Sequence, residues 1–126
     1  MNIKMHQAVL AYQTCLAFKK EKMPLKTAYK FNRLIGRLEE EVIFYNQKLD
    51  EAVKNYAELN EDGSPVFMDD TTVKIREDKV EECQKVMGEL EDLDIEVNAI
   101  LFELEELEHL SISIEEVNNL IPFIKE

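Results

Sequence analysis

Between Phe31 and Tyr56 an apolar residue recurs every three or four positions without a gap. Phe31, Ile35, Leu38, Val42, Tyr45, Leu49, Ala52 and Tyr56 are separated by steps of 4, 3, 4, 3, 4, 3 and 4. That is a heptad seam, and it predicts one long helix over residues 25–58. At 1.5 Å per residue such a helix spans roughly 50 Å. It needs a partner along its length, because helices draw most of their stability from tertiary packing. Gly36 interrupts it at a cost on the order of 1 kcal/mol relative to Ala; the reading here is a close crossing by a preceding helix.

The flanking segments suggest what packs on this seam. Met5, Val9, Tyr12 and Leu16 share one face of a helix over 5–20, widened by Ala8, Ala11 and Cys15, and Pro24 separates it from the long helix. The stretch Asn60-Glu61-Asp62-Gly63-Ser64-Pro65 is turn chemistry. Two β-rich runs around Asp69-Asp70-Thr71 predict a hairpin over 66–75, which must pack on helices or gain a third strand. Val80, Cys83, Met87 and Leu90 give a helix over 78–92 facing the seam. Residues 94–110 carry both periodicities and read as extended near 95–104 and helical near 105–110. Ser113 and Glu116 have capping-box spacing and open a short helix over 114–124, distorted by Pro122. No internal repeat emerges. The expectation is one domain over 1–126 of mainly α (α+β) class. Its body is a long antiparallel helical hairpin with a small β-hairpin or sheet and short terminal helices.

Composition excludes more than it assigns. Apolar residues are 45% of the chain, enough for a core and too many for a disordered one. No apolar run approaches a membrane span, and MNIKMHQAVLAYQTC lacks the features of a signal peptide. Cys15 and Cys83 stand alone, outside any CxxC pair, which favours a reduced cytoplasmic protein. With three Gly and neither GxGxxG nor GxxxxGK[ST], a phosphate-cradling loop is not indicated.

The net charge of −12 is unevenly placed. Residues 1–60 hold ten bases and seven acids, residues 61–126 five and twenty. Lys26, Lys30, Arg33 and Arg37 form one helical stripe, a candidate basic contact for a partner; the overall charge argues against a long nucleic acid. Glu89, Glu91, Asp92, Asp94, Glu96, Glu103, Glu105, Glu106 and Glu108 crowd the other end, a candidate acidic contact for a basic groove. Each set has a plainer reading, in which the two ends neutralise each other or simply face solvent. Glu106-Leu107-Glu108-His109 is a single ExxH where a di-metal site needs two, and Asn60–Ser64 misplaces the glycine of a calcium loop. No nucleophile has a neighbouring histidine in a recognisable pattern, so no catalytic residue, metal or cofactor is assigned.

Three stretches carry a resemblance. They are Lys22-Met23-Pro24-Leu25-Lys26-Thr27-Ala28-Tyr29-Lys30, the Glu61-Asp62-Gly63 turn after a long helix, and the closing Ile121-Pro122-Phe123-Ile124-Lys125-Glu126. In layout and in these stretches the chain resembles small phage and prophage accessory proteins of Gram-positive bacteria. The resemblance implies an accessory role in virion assembly or against host defence, and no catalytic residues come with it. A looser likeness is to prefoldin subunits, which place a β-hairpin between two coiled-coil helices; the N-terminal helix and C-terminal tail depart from that pattern. Two functions follow as expectations. The first is a non-catalytic acidic module that binds and inhibits a basic nucleic-acid-binding host protein in the host cytoplasm. The second is a structural or chaperone-like assembly factor, a homo-oligomer pairing through its coiled-coil seam.

Overall fold

The computed structural model describes residues 1–98 and 100–125; Ala99, within the mixed segment, and Glu126, at the end of the closing stretch, lie outside them. The chain, read above as one domain, divides into two compact units. Unit 1 is Met1–Ile43 with Asp94–Glu126, and unit 2 is Phe44–Leu93. Among the described residues the fold is mainly helical with one two-stranded antiparallel sheet.

Unit 1 begins with strand β1 (Asn2–Lys4) and helix α1 (Met5–Ala17). The helix is three residues shorter than expected, and its buried face is shifted. Ala8, Ala11 and Cys15 are fully buried, whereas Val9 is half-buried and Leu16 exposed. Small side chains let a helix approach its neighbours closely, so they form the centre of the contact and the larger residues flank it. Helix α2 (Leu25–Tyr56) follows, and its first main-chain bond runs from Ala28 N–H to the Pro24 carbonyl. Proline suits this place because the first turn has no use for its missing N–H. Strand β2 (Asp94–Glu96) pairs antiparallel with β1, Ile3 opposite Ile95. A 3₁₀ turn at Leu104–Leu107 replaces the helix expected at 105–110.

Helix α4 (Ile114–Leu120) starts as its cap predicts. Ser113 Oγ accepts from Glu116 N–H at 3.1 Å, and Glu116 Oε1 accepts from Ser113 N–H at 3.0 Å. The last turn tightens to 3₁₀ at Ile121–Phe123, around Pro122. Phe102 N–H then donates to the Phe123 carbonyl and Lys125 N–H to the Phe102 carbonyl, so the closing segment lies parallel to the one around Phe102. Phe18, Phe31 and Phe102 stack through the centre, with centroids 6.0 and 4.6 Å apart. The first part of the α2 seam is thereby used within unit 1: Phe31, Leu34, Leu38 and Val42 are buried, with Leu34 the member the heptad reading omitted.

Unit 2 pairs the later part of α2 with helix α3 (Val80–Glu91), which a 3₁₀ turn at Glu77–Lys79 precedes. Tyr45 hydroxyl reaches Glu91 and Tyr56 hydroxyl reaches Glu82, an order that sets the two helices antiparallel. Ala52, Cys83 and Leu90 are buried between them.

Between α2 and α3 the hairpin expected at 66–75 is one part of a larger arrangement. Glu58 N–H donates to the Lys74 carbonyl, Lys74 N–H to Val66, and Val66 N–H back to Glu58, at 2.8–2.9 Å. The three segments close a ring. A second set of three bonds surrounds it, Asn60 N–H to Ser64, Met68 N–H to Thr72 and Arg76 N–H to Tyr56. The corresponding positions are eight residues apart. Leu59, Phe67 and Ile75 match; so do Glu61, Asp69 and Glu77, and Asp62, Asp70 and Asp78. An internal repeat is therefore present where none was expected, and it escapes notice because only its apolar and acidic positions recur. Closure satisfies the inner main-chain groups and leaves no free strand edge at the ring.

Candidate interaction surfaces

The ring of unit 2 displays apolar side chains among carboxylates. Side chains alternate along extended segments, so Ala57 and Leu59, Pro65 and Phe67, and Val73 and Ile75 share one side of their segments. Glu58, Val66 and Lys74 take the other, where Glu58 and Lys74 form an ion pair at 3.0 Å. Ala57 is buried, but Leu59 is 50% exposed, Phe67 57% and the neighbouring Met68 70%. Residues 57–78 carry seven carboxylates against Lys74 and Arg76.

Two of those carboxylates are fixed by turns. Asp62 accepts from the hydroxyl and N–H of Ser64 at 2.6 and 3.0 Å. Asp69 accepts from the N–H groups of Thr71 and Thr72 at 2.9 and 2.7 Å. The Ser64 bonds hold the Asp62 carboxyl below its ordinary range, and the two threonine N–H groups do the same for Asp69. Both stay ionised at neutral pH. Gly63 supports the first turn with φ of +85°, which side-chain-bearing residues adopt only with strain.

The acidic set anticipated from sequence falls into both units. Glu89, Glu91 and Asp92 belong to unit 2; Asp94, Glu96, Glu103, Glu105, Glu106 and Glu108 belong to unit 1. Several are bound internally. Asp94 pairs with Lys4 at 2.8 Å, Glu103 with Lys125 at 3.4 Å, and Glu91 accepts from Tyr45. Glu106 is drawn furthest inside: its Oε1 accepts from Lys30 Nζ at 2.6 Å, and Oε2 is buried without a hydrogen-bond partner. Burial raises the Glu106 pKa, but the Lys30 ammonium and the Glu103 N–H outweigh it, and the carboxyl sits below its ordinary value. His109 is exposed, and the Glu106 of its ExxH is committed to Lys30.

The basic stripe divides in the same way. Lys30 is buried and also donates to the Leu101 carbonyl at 2.8 Å, so it ties α2 to the 101–106 segment. Lys26 is exposed. Arg33 lies over the Tyr29 ring, 5.9 Å from its centroid. Arg33 and Arg37 both line a groove of about 950 Å³ in unit 1. Among the described residues no group of three or more His, Cys, Asp or Glu is placed to hold a metal ion, and no helix is long and apolar enough to cross a membrane.

Sequence reasoning missed Leu59, Phe67 and Met68. The signal that finds Leu59 and Phe67 is the eight-residue spacing with Ile75, visible once the turn residues are aligned. Comparison of the chain with family models, with characterised proteins and with solved structures returned no match.

Proposed function

We propose that the chain is a non-catalytic, acidic protein-binding module, and that unit 2 makes the contact through its ring. The observation that carries this reading is the exposed Leu59, Phe67 and Met68 set among seven carboxylates. Large flexible or aromatic side chains at the centre of a polar rim are the usual anchors of a protein interface. Unit 2 holds fourteen acids and six bases, a charge of −8 that steers a basic partner and repels a second copy. The partner class is a protein presenting an apolar pocket within a basic groove. Together with the likeness to phage accessory proteins, this favours a nucleic-acid-binding protein of the host cytoplasm, inhibited by occupation of its groove. The alternative, a structural or chaperone-like assembly factor pairing through its seam, rests on Ile35, Tyr45, Leu49 and Tyr56, which stay partly exposed while Phe31, Leu38, Val42 and Ala52 are buried.

The test uses the immobilised chain, host lysate at about 0.15 M salt, and a second column carrying Phe67→Ser with Met68→Ser. Both residues are exposed, so the double variant keeps its fold. A basic protein held by the first column, lost from the second and released by raised salt, which shortens the Debye length below about 8 Å, supports the reading. Retention of no basic protein, or equal retention by both columns, overturns it.

A further inference from the structure

The groove of unit 1 has features that protein binding through unit 2 does not use. One wall is α2, contributing Asn32, Arg33, Arg37 and Glu40; the other includes Val97, Asn98, Ile100 and Leu101. Its volume, about 950 Å³, lies within the range of small-molecule sites. In a chain with 27 acids, neither Arg33 nor Arg37 is in an ion pair among the described residues. They are one helical turn apart, which places their guanidinium groups as neighbours on one face.

Gly36 lies between them in sequence and lines the same groove. The close helix crossing expected there is absent: a Cβ built on Gly36 meets nothing within 4 Å. A mid-helix glycine costs on the order of 1 kcal/mol, and here no packing contact accounts for it. Gly36 thus lines the groove without a side chain, beside two guanidiniums that form no ion pair among the described residues.

The chemistry of the lining selects a ligand class. Two guanidinium forks match adjacent phosphate oxygens bidentately. Glu40 adds a single carboxylate, which disfavours a bare or long polyanion and accepts from hydroxyl or amino donors. Asn32 and Asn98 present amides that both donate and accept. Ile100 and Leu101, which are not fully buried, offer an apolar surface to a planar ring. We propose that this groove binds a nucleotide-sized organic phosphate, its phosphates on Arg33 and Arg37 and its ring system against Ile100 and Leu101.

The experiment is isothermal titration of the full chain with ADP at about 50 mM salt, where screening is weak. Inorganic pyrophosphate and ribose 5-phosphate serve as comparison titrants. Saturable binding of ADP is expected, with pyrophosphate and ribose 5-phosphate each weaker by roughly tenfold or more, about 1.4 kcal/mol. Arg33→Gln with Arg37→Gln should weaken ADP at least about tenfold while the thermal melt stays unchanged, since both side chains are exposed. Gly36→Ala should leave binding intact, and Gly36→Phe should abolish it by filling the groove. No saturable ADP binding up to about 5 mM, or equal binding by the double arginine variant, overturns the site. Pyrophosphate or ribose 5-phosphate binding as tightly as ADP overturns the nucleotide class.

Discussion

Unit 1 gathers fourteen buried apolar side chains into one cluster, from Ile3 to Phe123. Unit 2, among its described residues, buries four: Ala52, Ala57, Cys83 and Leu90. The two therefore rest on different physics. Unit 1 is held by side-chain packing, with segments far apart in sequence meeting on α1 and on α2. Unit 2 is held by a helix pair and by a ring of main-chain bonds, which needs few buried side chains. Main-chain closure has a functional consequence. It frees Leu59, Phe67 and Met68 to face outward, where a packing-dependent unit would draw them in.

The comparison breaks first where packing is removed. Phe102 is fully buried, touches Phe31 and sits where the closing segment bonds. Phe102→Ala should destabilise the chain by about 3–5 kcal/mol in urea unfolding. Leu90→Ala, at the best-buried large side chain of unit 2, should cost about 2–3 kcal/mol. Equal losses would mean that unit 2 depends on packing as much as unit 1 does.

Next in size is the buried pair of unit 1. Lys30→Met leaves the Glu106 carboxylate inside without its cation, a loss of about 3 kcal/mol. Lys30→Met combined with Glu106→Leu should recover most of it, because apolar replacement of a whole buried pair is nearly neutral. The pH dependence follows from the lowered Glu106 pKa. A carboxyl depressed in the folded state contributes stability above its ordinary pKa of about 4.3 and loses it as pH falls through the lower folded value. The stability of the unsubstituted chain relative to the double variant should therefore fall as pH drops below about 4.3, as read by unfolding series at each pH.

This division was only partly legible in the sequence. Helix α2 was, because eight apolar residues in register leave no other periodicity, and so was α4, because Ser113 and Glu116 state their own cap. The β1–β2 pair was legible only on one side: residues 95–104 read as extended, but Asn2-Ile3-Lys4 is too short to carry a pattern, and only the meeting across some ninety positions makes the two segments strands. Lys30 read as part of an exposed stripe because spacing reports a residue's helical face and not what covers that face. What covers it is Glu106 and the Leu101 carbonyl, which only the tertiary fold supplies. The acidic surface was visible as composition, but the apolar residues of the ring were hidden inside what read as an ordinary turn and hairpin.

The two cysteines sharpen the contrast on a kinetic scale. Burial pushes the Cys15 thiol up to about 12, so it is protonated at neutral pH and inaccessible in unit 1. Cys83 is also buried, but between the two helices of unit 2, which few other side chains support. Reaction of both requires opening, and opening is easier where fewer contacts must break. A thiol reagent at pH 8 should label Cys83 at least roughly tenfold faster than Cys15, a difference of about 1.4 kcal/mol, resolved by mass spectrometry of the digested chain. Similar rates would show that the two units open together.

The smallest effect tests the ring itself. Gly63 has φ of +85° and its N–H donates to the Asn60 carbonyl, so the turn that brings Val66 back to Glu58 depends on it. A Cβ there meets no neighbour within 4 Å, so Gly63→Ala acts through backbone strain alone. The cost should be about 1 kcal/mol. If the ring is the cooperative element of unit 2, the loss will not stay at the turn. The amides of Glu58, Val66 and Lys74 each donate within the closed cycle, so loosening one segment exposes all three. Hydrogen exchange should show those three amides accelerating together by about fivefold, while the amides of Phe102 and Lys125 in unit 1 keep their rates. Acceleration confined to Asn60–Ser64 would reduce the ring to three separate turns.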